Sequence, residues 1–258
     1  MTIATRATPM AQTASTVQLR PETVHAFDKY VREAETQMQQ DLHRKVPFLC
    51  PDLARKRESE IRKGDIVAQF CSSRGPIKVP SGLVHDWIGA IFIPGVTVAQ
   101  TLSLIQDYDN HKKIYNPEVI DSALKSRHGN HFKIYLRLLK KKVVTVVLDT
   151  DHDVEYLPLE GANWFCRSHT TRISEVEGVG SPTERILPPD TGHGFLWRLN
   201  SYWVFQQKKG GVYAECRAIS LTRDIPFGLA WIIEPIVEKL PRESLVNTLE
   251  ATRRALQS

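Results

Sequence analysis

Apolar residues recur at spacings of three and four from Pro21 to about Leu42, where Val24, Phe27, Val31, Ala34 and Met38 form one stripe on an otherwise charged segment. That period is helical and proline is tolerated in a first turn, so the spacing predicts an amphipathic helix. A stretch broken by Pro47 and Pro51 follows, then "GDIVAQF", which reads as a strand. From Leu83 the pattern is regular. "LVHDWIGAIFI" predicts a strand, and beyond it Thr97 and Gln100 have the spacing of a capping box, each side chain serving the other's backbone. The helix opened there has Ala99, Leu102 and Ile105 as its buried face and ends by Asn116-Pro117, because the residue before proline is pushed out of the α basin.

Six more strands are predicted without a helix between them: Val119 to Arg127, Phe132 to Leu139, Val143 to Thr150 or beyond, Trp164 to Ile173, Phe195 to Gln207, and Val212 to Thr222. "HGN", "KKK" and "KKGG" are links of hairpin length, so neighbouring strands pair antiparallel as a meander. The segment Glu175 to His193 is left as a long loop over one end of the sheet. From about Phe227 the helical period returns with Leu229, Ile232, Ile233, Ile236, Val237 and Leu240. Pro235 interrupts it, and Pro241 suits the first turn of a fresh helix with Leu245, Val246, Leu249, Thr252 and Leu256 on its inner face. The expected element is a long, bent C-terminal helix able to follow a curved sheet.

Composition changes this picture little. The chain has 258 residues, 41% of them hydrophobic, enough for a sizeable core. Its longest apolar runs, "IGAIFIPG" and "LAWII", fall far short of the roughly 20 residues that span a bilayer. Residues 1–20 are rich in Thr and Ala without a signal-like apolar core and read as a disordered tail. Residues 21–80 read as an N-terminal extension of helix and strand, and residues 81–258 as the main domain. The net charge of +5 is scattered, with no basic stripe or interleaved aromatics, so nucleic acid is not an expected partner. Cys50, Cys71, Cys166 and Cys216 lie far apart without a CxxC and read as free thiols, which favours the cytoplasm, a lost or misassigned export signal staying open.

The order of one strand, a helical pair, six strands and a long C-terminal helix, together with "GAIFIPGVTVAQTLSLIQDYDNHKKIYNPEVIDS" and "GGVYAECRAISLTRDIPFGLAWIIEPIVEKLPRESLVNTLEATRRAL", resembles the START-like superfamily, also called SRPBCC. Lipid-transfer domains, polyketide cyclases and birch pollen allergens belong to it. The resemblance covers about Ser81 to Leu256 and implies an α+β helix-grip fold: a curved, seven-stranded antiparallel sheet around the C-terminal helix, with a cavity between and an extra N-terminal helix outside. Residues 1 to about 80 have no counterpart in it.

Closing the last hairpin at "KKGG" pairs Gln207 with Val212 and sorts its residues by face. One face carries Trp197, Leu199, Ser201, Trp203 and Phe205 with Val212, Ala214, Cys216 and Ala218. Large aromatics opposite small residues leave room for a helix or a ligand, so this face is placed inward. With Trp87, Trp231, Ile232, Leu245 and Leu249, the residues Trp197, Leu199, Trp203, Phe205, Ala214 and Cys216 are the expected cavity lining. The other face, with Arg198, Tyr202, Glu215 and Arg217, is expected outside in solvent; turned inward instead, these four would anchor a ligand head group.

No catalytic motif is present. His85 and His169 have no partner at a recognisable spacing. Asp149, Asp151, Asp153 and Glu160 fall at positions 1, 3, 5 and 12 of a calcium loop, but Val154 stands where the turn needs glycine, so no metal is expected, nor any cofactor. The expected function is binding or transfer of a hydrophobic small molecule, such as a lipid, isoprenoid or polyketide-like compound. The alternatives are a cyclase/aromatase-type enzyme in the same cavity and a protein-interaction module. Weak contact with anionic membranes is expected through Lys140, Lys141 and Lys142 beside the long loop.

Overall fold

The computed structural model describes residues 16–43, 48–71, 75–141, 145–224 and 230–258, and for residues 51, 52, 54–56 and 230–238 the backbone alone. The first apolar stripe forms helix α1 (Pro21–Leu42), which buries Thr23, Phe27, Val31, Ala34 and Met38. A second helix, α2 (Pro51–Arg62), buries Leu53 and Ile61. The capping box is made as predicted: Gln100 N–H donates to Thr97 Oγ1 (3.2 Å) and Thr97 N–H to Gln100 Oε1 (2.8 Å), opening α3 (Val98–Ile105). A single 3-10 turn, Tyr108–Asn110, and α4 (His111–Ile114) complete that helical region.

Besides "GDIVAQF", which forms the short β2 (Val67–Phe70), all seven longer predicted strands are present: β4 (Gly82–Pro94), β5 (Val119–His128), β6 (His131–Lys141), β7 (Thr145–Pro158), β8 (Trp164–Glu177), β11 (Arg198–Lys208) and β12 (Gly211–Arg223). They pair antiparallel in the order β4-β12-β11-β8-β7-β6-β5, and the last hairpin has the predicted register, Gln207 opposite Val212. Short strands enlarge the sheet to ten: β2 (Val67–Phe70) and β3 (Ile77–Val79) add to β4, and β9 (Arg185–Ile186) adds to β8. A separate two-stranded ribbon joins β1 (Val17–Gln18) to β10 (Thr191–Gly192). The near-match to a calcium loop lies largely inside β7, an extended conformation that cannot wrap an ion.

The chain ends in α5 (Ala230–Gln257), one continuous helix. The fresh helix expected at Pro241 is therefore not formed; the proline is absorbed in the interior of α5. Alternation along β4 decides what covers each face. A Cβ on Gly89 would lie 2.7 Å from Leu249 Cδ1 and 3.1 Å from Leu245 on α5, so the odd-numbered residues face α5. On the even side, Tyr30 of α1 donates to Asp86 (2.6 Å), and Val84 and Ile88 share a core with Phe27, Met38, Leu53 and Ile61. The sheet is thus a middle layer between α5 with α3 and α4 on one side and α1 with α2 on the other.

That arrangement corrects one expectation. The face of Tyr202, Glu215 and Arg217 does not meet solvent: Tyr202 and Glu215 are 0% exposed and Arg217 5%, sealed beneath the N-terminal helices. Sheet periodicity divides residues into two sets, but it does not say that a segment far earlier in the chain returns to cover the second. Arg198, at the end of the same face, is half-buried and pairs with Asp190 (2.6 Å).

Candidate functional site

On the α5 side the sheet has two zones. In one, Trp87, Ile91, Phe205, Val212, Ala214 and Cys216 form a single core with Leu102 of α3 and Leu245 and Leu249 of α5. The contact is close because Gly89 has no side chain. Tyr115 OH meets Thr252 Oγ1 (3.2 Å), and Arg253 reaches the Gly64 carbonyl, so the C-terminal half of α5 is fixed at several points. Tyr108 and Tyr156 are joined hydroxyl to hydroxyl (2.7 Å) inside this core.

The second zone is less filled. Along β11 the outer row of Asn200, Tyr202, Val204 and Gln206 is buried, yet Leu199, Ser201 and Trp203 on the α5 side are only half-buried. Their neighbours on that side continue the strip: Ala218 on β12, Ser168 and Thr170 on β8, and Leu136 and Leu138 on β6 are half-buried as well. Trp203 stacks on Phe205, ring centroids 5.5 Å apart and 10° from parallel, so the strip begins where the apolar core ends.

Polar side chains line the edges of the strip. His152 meets Thr150 Oγ1 through Nε2 (2.9 Å) and Ser168 Oγ through Nδ1 (3.3 Å), and Thr150 donates its own proton to the Leu136 carbonyl (2.9 Å). The threonine oxygen can then only accept, which places the His152 proton on Nε2. His85 repeats this arrangement: Nε2 lies 3.0 Å from Thr222 Oγ1, which donates to the Arg223 carbonyl (3.2 Å). Burial depresses the pKa of both imidazoles to about 4, so both are neutral at physiological pH.

The fold is helix-grip. No family model and no curated protein matches the sequence. Among solved structures, a STAR-related lipid transfer protein from Xanthomonas axonopodis is 15% identical, with 71% of this chain and 98% of that one covered and a TM-score of 0.49. Human STARD10 is 13% identical over 82% of this chain and 83% of that one, TM-score 0.43. The Zhui aromatase/cyclase from Streptomyces sp. R1128 is 7% identical over 67% and 94%, TM-score 0.43.

Of the residues singled out from sequence, Trp87, Trp203, Phe205, Ala214, Cys216, Leu245 and Leu249 come together on the α5 side, and Leu199 lies in the half-buried strip. Trp197 does not join them. It precedes β11 and packs in the core beneath α1, so strand alternation does not extend to it. The side chains of Trp231 and Ile232 lie outside the described residues, as does Lys142. Lys140 is ion-paired with Glu118 and Lys141 is exposed. The long loop is shorter than its predicted span and tied down: Glu175 lies in β8 and its carboxylate accepts from the backbone N–H groups of His193 (2.7 Å), Gly194 (2.8 Å) and Phe195 (3.2 Å). Sequence reasoning missed His152, Thr150, Ser168 and Thr222, whose hydrogen bonds depend on strand register and are invisible to spacing along the chain.

On the outer face the charged residues form a largely buried network. Burial works against the Arg217 cation, but the Asp86 carboxylate outweighs it and raises its pKa. Burial also pushes up the Glu35 carboxyl, yet hydrogen bonds from His169 (2.8 Å) and Tyr202 (2.9 Å) outweigh it and hold the group below the usual range. His169 thus has a partner after all, on α1. Glu215 accepts from Leu49 N–H (2.8 Å) and Tyr213 OH (3.0 Å), neither a cation, and burial raises its pKa to about 8.

Proposed function

We propose that the chain binds a hydrophobic small molecule, a lipid, isoprenoid or polyketide-like compound, between α5 and the sheet. The observation that carries this reading is the contrast along β11: side chains facing α1 are buried, whereas Leu199, Ser201 and Trp203, facing α5, keep part of their surface open. A packed interior leaves few such gaps, and an apolar strip with a few polar side chains at its edge is the usual lining of a small-molecule site. A cyclase-type reaction in the same groove would need a base with a free lone pair at a useful pKa. His152 Nδ1 is already hydrogen-bonded to Ser168, and burial lowers the pKa of His85 to about 4, too weak a base, so binding is the reading favoured.

Native mass spectrometry of freshly purified protein, followed by organic extraction, is expected to release an apolar species. Trp203→Ala is expected to weaken binding of the neutral dye Nile red about tenfold while leaving the urea midpoint nearly unchanged, since Trp203 is only half-buried. Dye affinity equal in wild type and variant would overturn the reading.

A further inference from the structure

Among the described residues, two buried polar atoms on the α5 side have no partner: Trp87 Nε1 and His85 Nδ1. Trp87 is 6% exposed and His85 0%, so neither is served by bulk water. An orphaned buried polar group costs on the order of 1–3 kcal/mol, and two at neighbouring positions of one strand call for a reason. They are alternate residues of β4 on the same face, roughly 7 Å apart along the strand. Opposite them stand Ala218 and Ser220, the first half-buried within the strip described above.

Their hydrogen-bonding characters differ. Indole Nε1–H only donates. His85 spends its Nε2 proton on Thr222 Oγ1, because that hydroxyl's own proton goes to the Arg223 carbonyl; Nδ1 is left as a bare lone pair. The site therefore offers one donor and one acceptor. A hydroxyl matches both at once, its oxygen accepting from Trp87 and its proton going to His85, and one oxygen with two bonds of about 2.9 Å at its usual angle bridges atoms roughly 5 Å apart. A carboxylate or phosphate has no proton for Nδ1 and would bury a charge; a ketone or ether satisfies only the indole.

We propose that the ligand of the groove is an uncharged, hydroxyl-bearing apolar molecule whose hydroxyl seats between Trp87 Nε1 and His85 Nδ1. This rests on the binding reading above and names the chemical class of what is bound. Burial keeps His85 neutral, with a pKa of about 4, so the acceptor persists across the physiological range.

The test is displacement of Nile red by 1-dodecanol, its methyl ether and dodecanoate, with wild type and Trp87→Phe, which removes the N–H and keeps the ring. Wild type is expected to prefer dodecanol over both analogues by about tenfold or more. In Trp87→Phe that preference is expected to fall to about twofold or less. Wild-type protein gives a check that needs no variant: the indole N–H resonance absent from Trp87→Phe spectra should move on adding dodecanol and stay in place with the methyl ether. Equal displacement by all three probes, or an unmoved Trp87 resonance while dodecanol displaces the dye, would overturn the hydroxyl site and leave the groove standing, the two atoms then holding water only. Failure of Nile red to bind would overturn the groove reading and this one with it.

Discussion

Arg217 on β12 holds both carboxylate oxygens of Asp86 on β4, Nε to Oδ1 at 2.9 Å and Nη2 to Oδ2 at 2.6 Å, beneath the Tyr30 hydroxyl of α1. This fork-to-fork pair is buried, so removing one partner strands the other in a medium of low polarity. Asp86→Asn or Arg217→Gln is expected to cost about 3–5 kcal/mol in urea unfolding, whereas Asp86→Leu with Arg217→Met should cost much less than the sum of the two single changes. Additive losses would mean that the pair is not coupled.

Glu215 leads to a dependence on pH. Its folded pKa, about 8, lies above the usual carboxyl value, so between roughly pH 4.5 and 8 the folded chain holds a proton that the unfolded chain has released. Stability from this group is present below that window and is lost as pH rises through it, by roughly 1 kcal/mol per pH unit. Glu215→Gln keeps an acceptor for Leu49 N–H and Tyr213 and is expected to melt higher than wild type at pH 8.5, with little difference at pH 5. Calorimetry across that range checks it.

Three histidines act in the opposite direction. His85, His111 and His152 have pKa values depressed by burial to about 4, so the unfolded chain takes up protons below about pH 6.5 that the fold refuses. Their stabilising share is full above that pH and is lost as pH falls toward 4. Set against Glu215, the four groups together give a stability maximum near neutrality and a loss of roughly 3 kcal/mol per pH unit around pH 5. Replacing His111 by Asn should flatten the acid limb by nearly half, because Glu215 already offsets one of the three histidines, read from urea midpoints at pH 5, 6 and 7.

The Gly89 contact with α5 supplies a prediction whose sign is diagnostic. Glycine to alanine inside a strand ordinarily helps slightly. Here the added methyl would lie 2.7 Å from Leu249 Cδ1, so Gly89→Ala is expected to cost about 1–3 kcal/mol, and combining it with Leu249→Ala should cost less than the two changes summed. A neutral or stabilising Gly89→Ala would show that the helix yields easily.

Much of the fold was legible because its elements are local. The stripe of Phe27, Val31 and Met38, the Thr97–Gln100 capping box, the seven long strands and the register of the last hairpin all follow from spacings of two to four residues and from turn chemistry. What was not legible joins distant segments. The pairing of Tyr30 with Asp86 spans 56 positions and that of His169 with Glu35 spans 134, and no periodicity announces either. The same limit hid the candidate site's polar edge: His85 and Thr222 are 137 positions apart, and only register sets them side by side. Pro241 misled in another way, since a proline that could begin a helix was accommodated within one.

The close seat at Gly89 gives α5 the mechanics of a lever. Held near Leu245 and Leu249, the helix reaches, within the described residues, to Ala230, about 19 residues and roughly 28 Å from the pivot. A rotation of about 5° there carries that end by roughly 2.5 Å, about half the width of a methylene chain, while the contacts at the pivot shift by a few tenths of an ångström. Under the proposed binding role, tilt about this seat sets the girth of ligand that the groove admits.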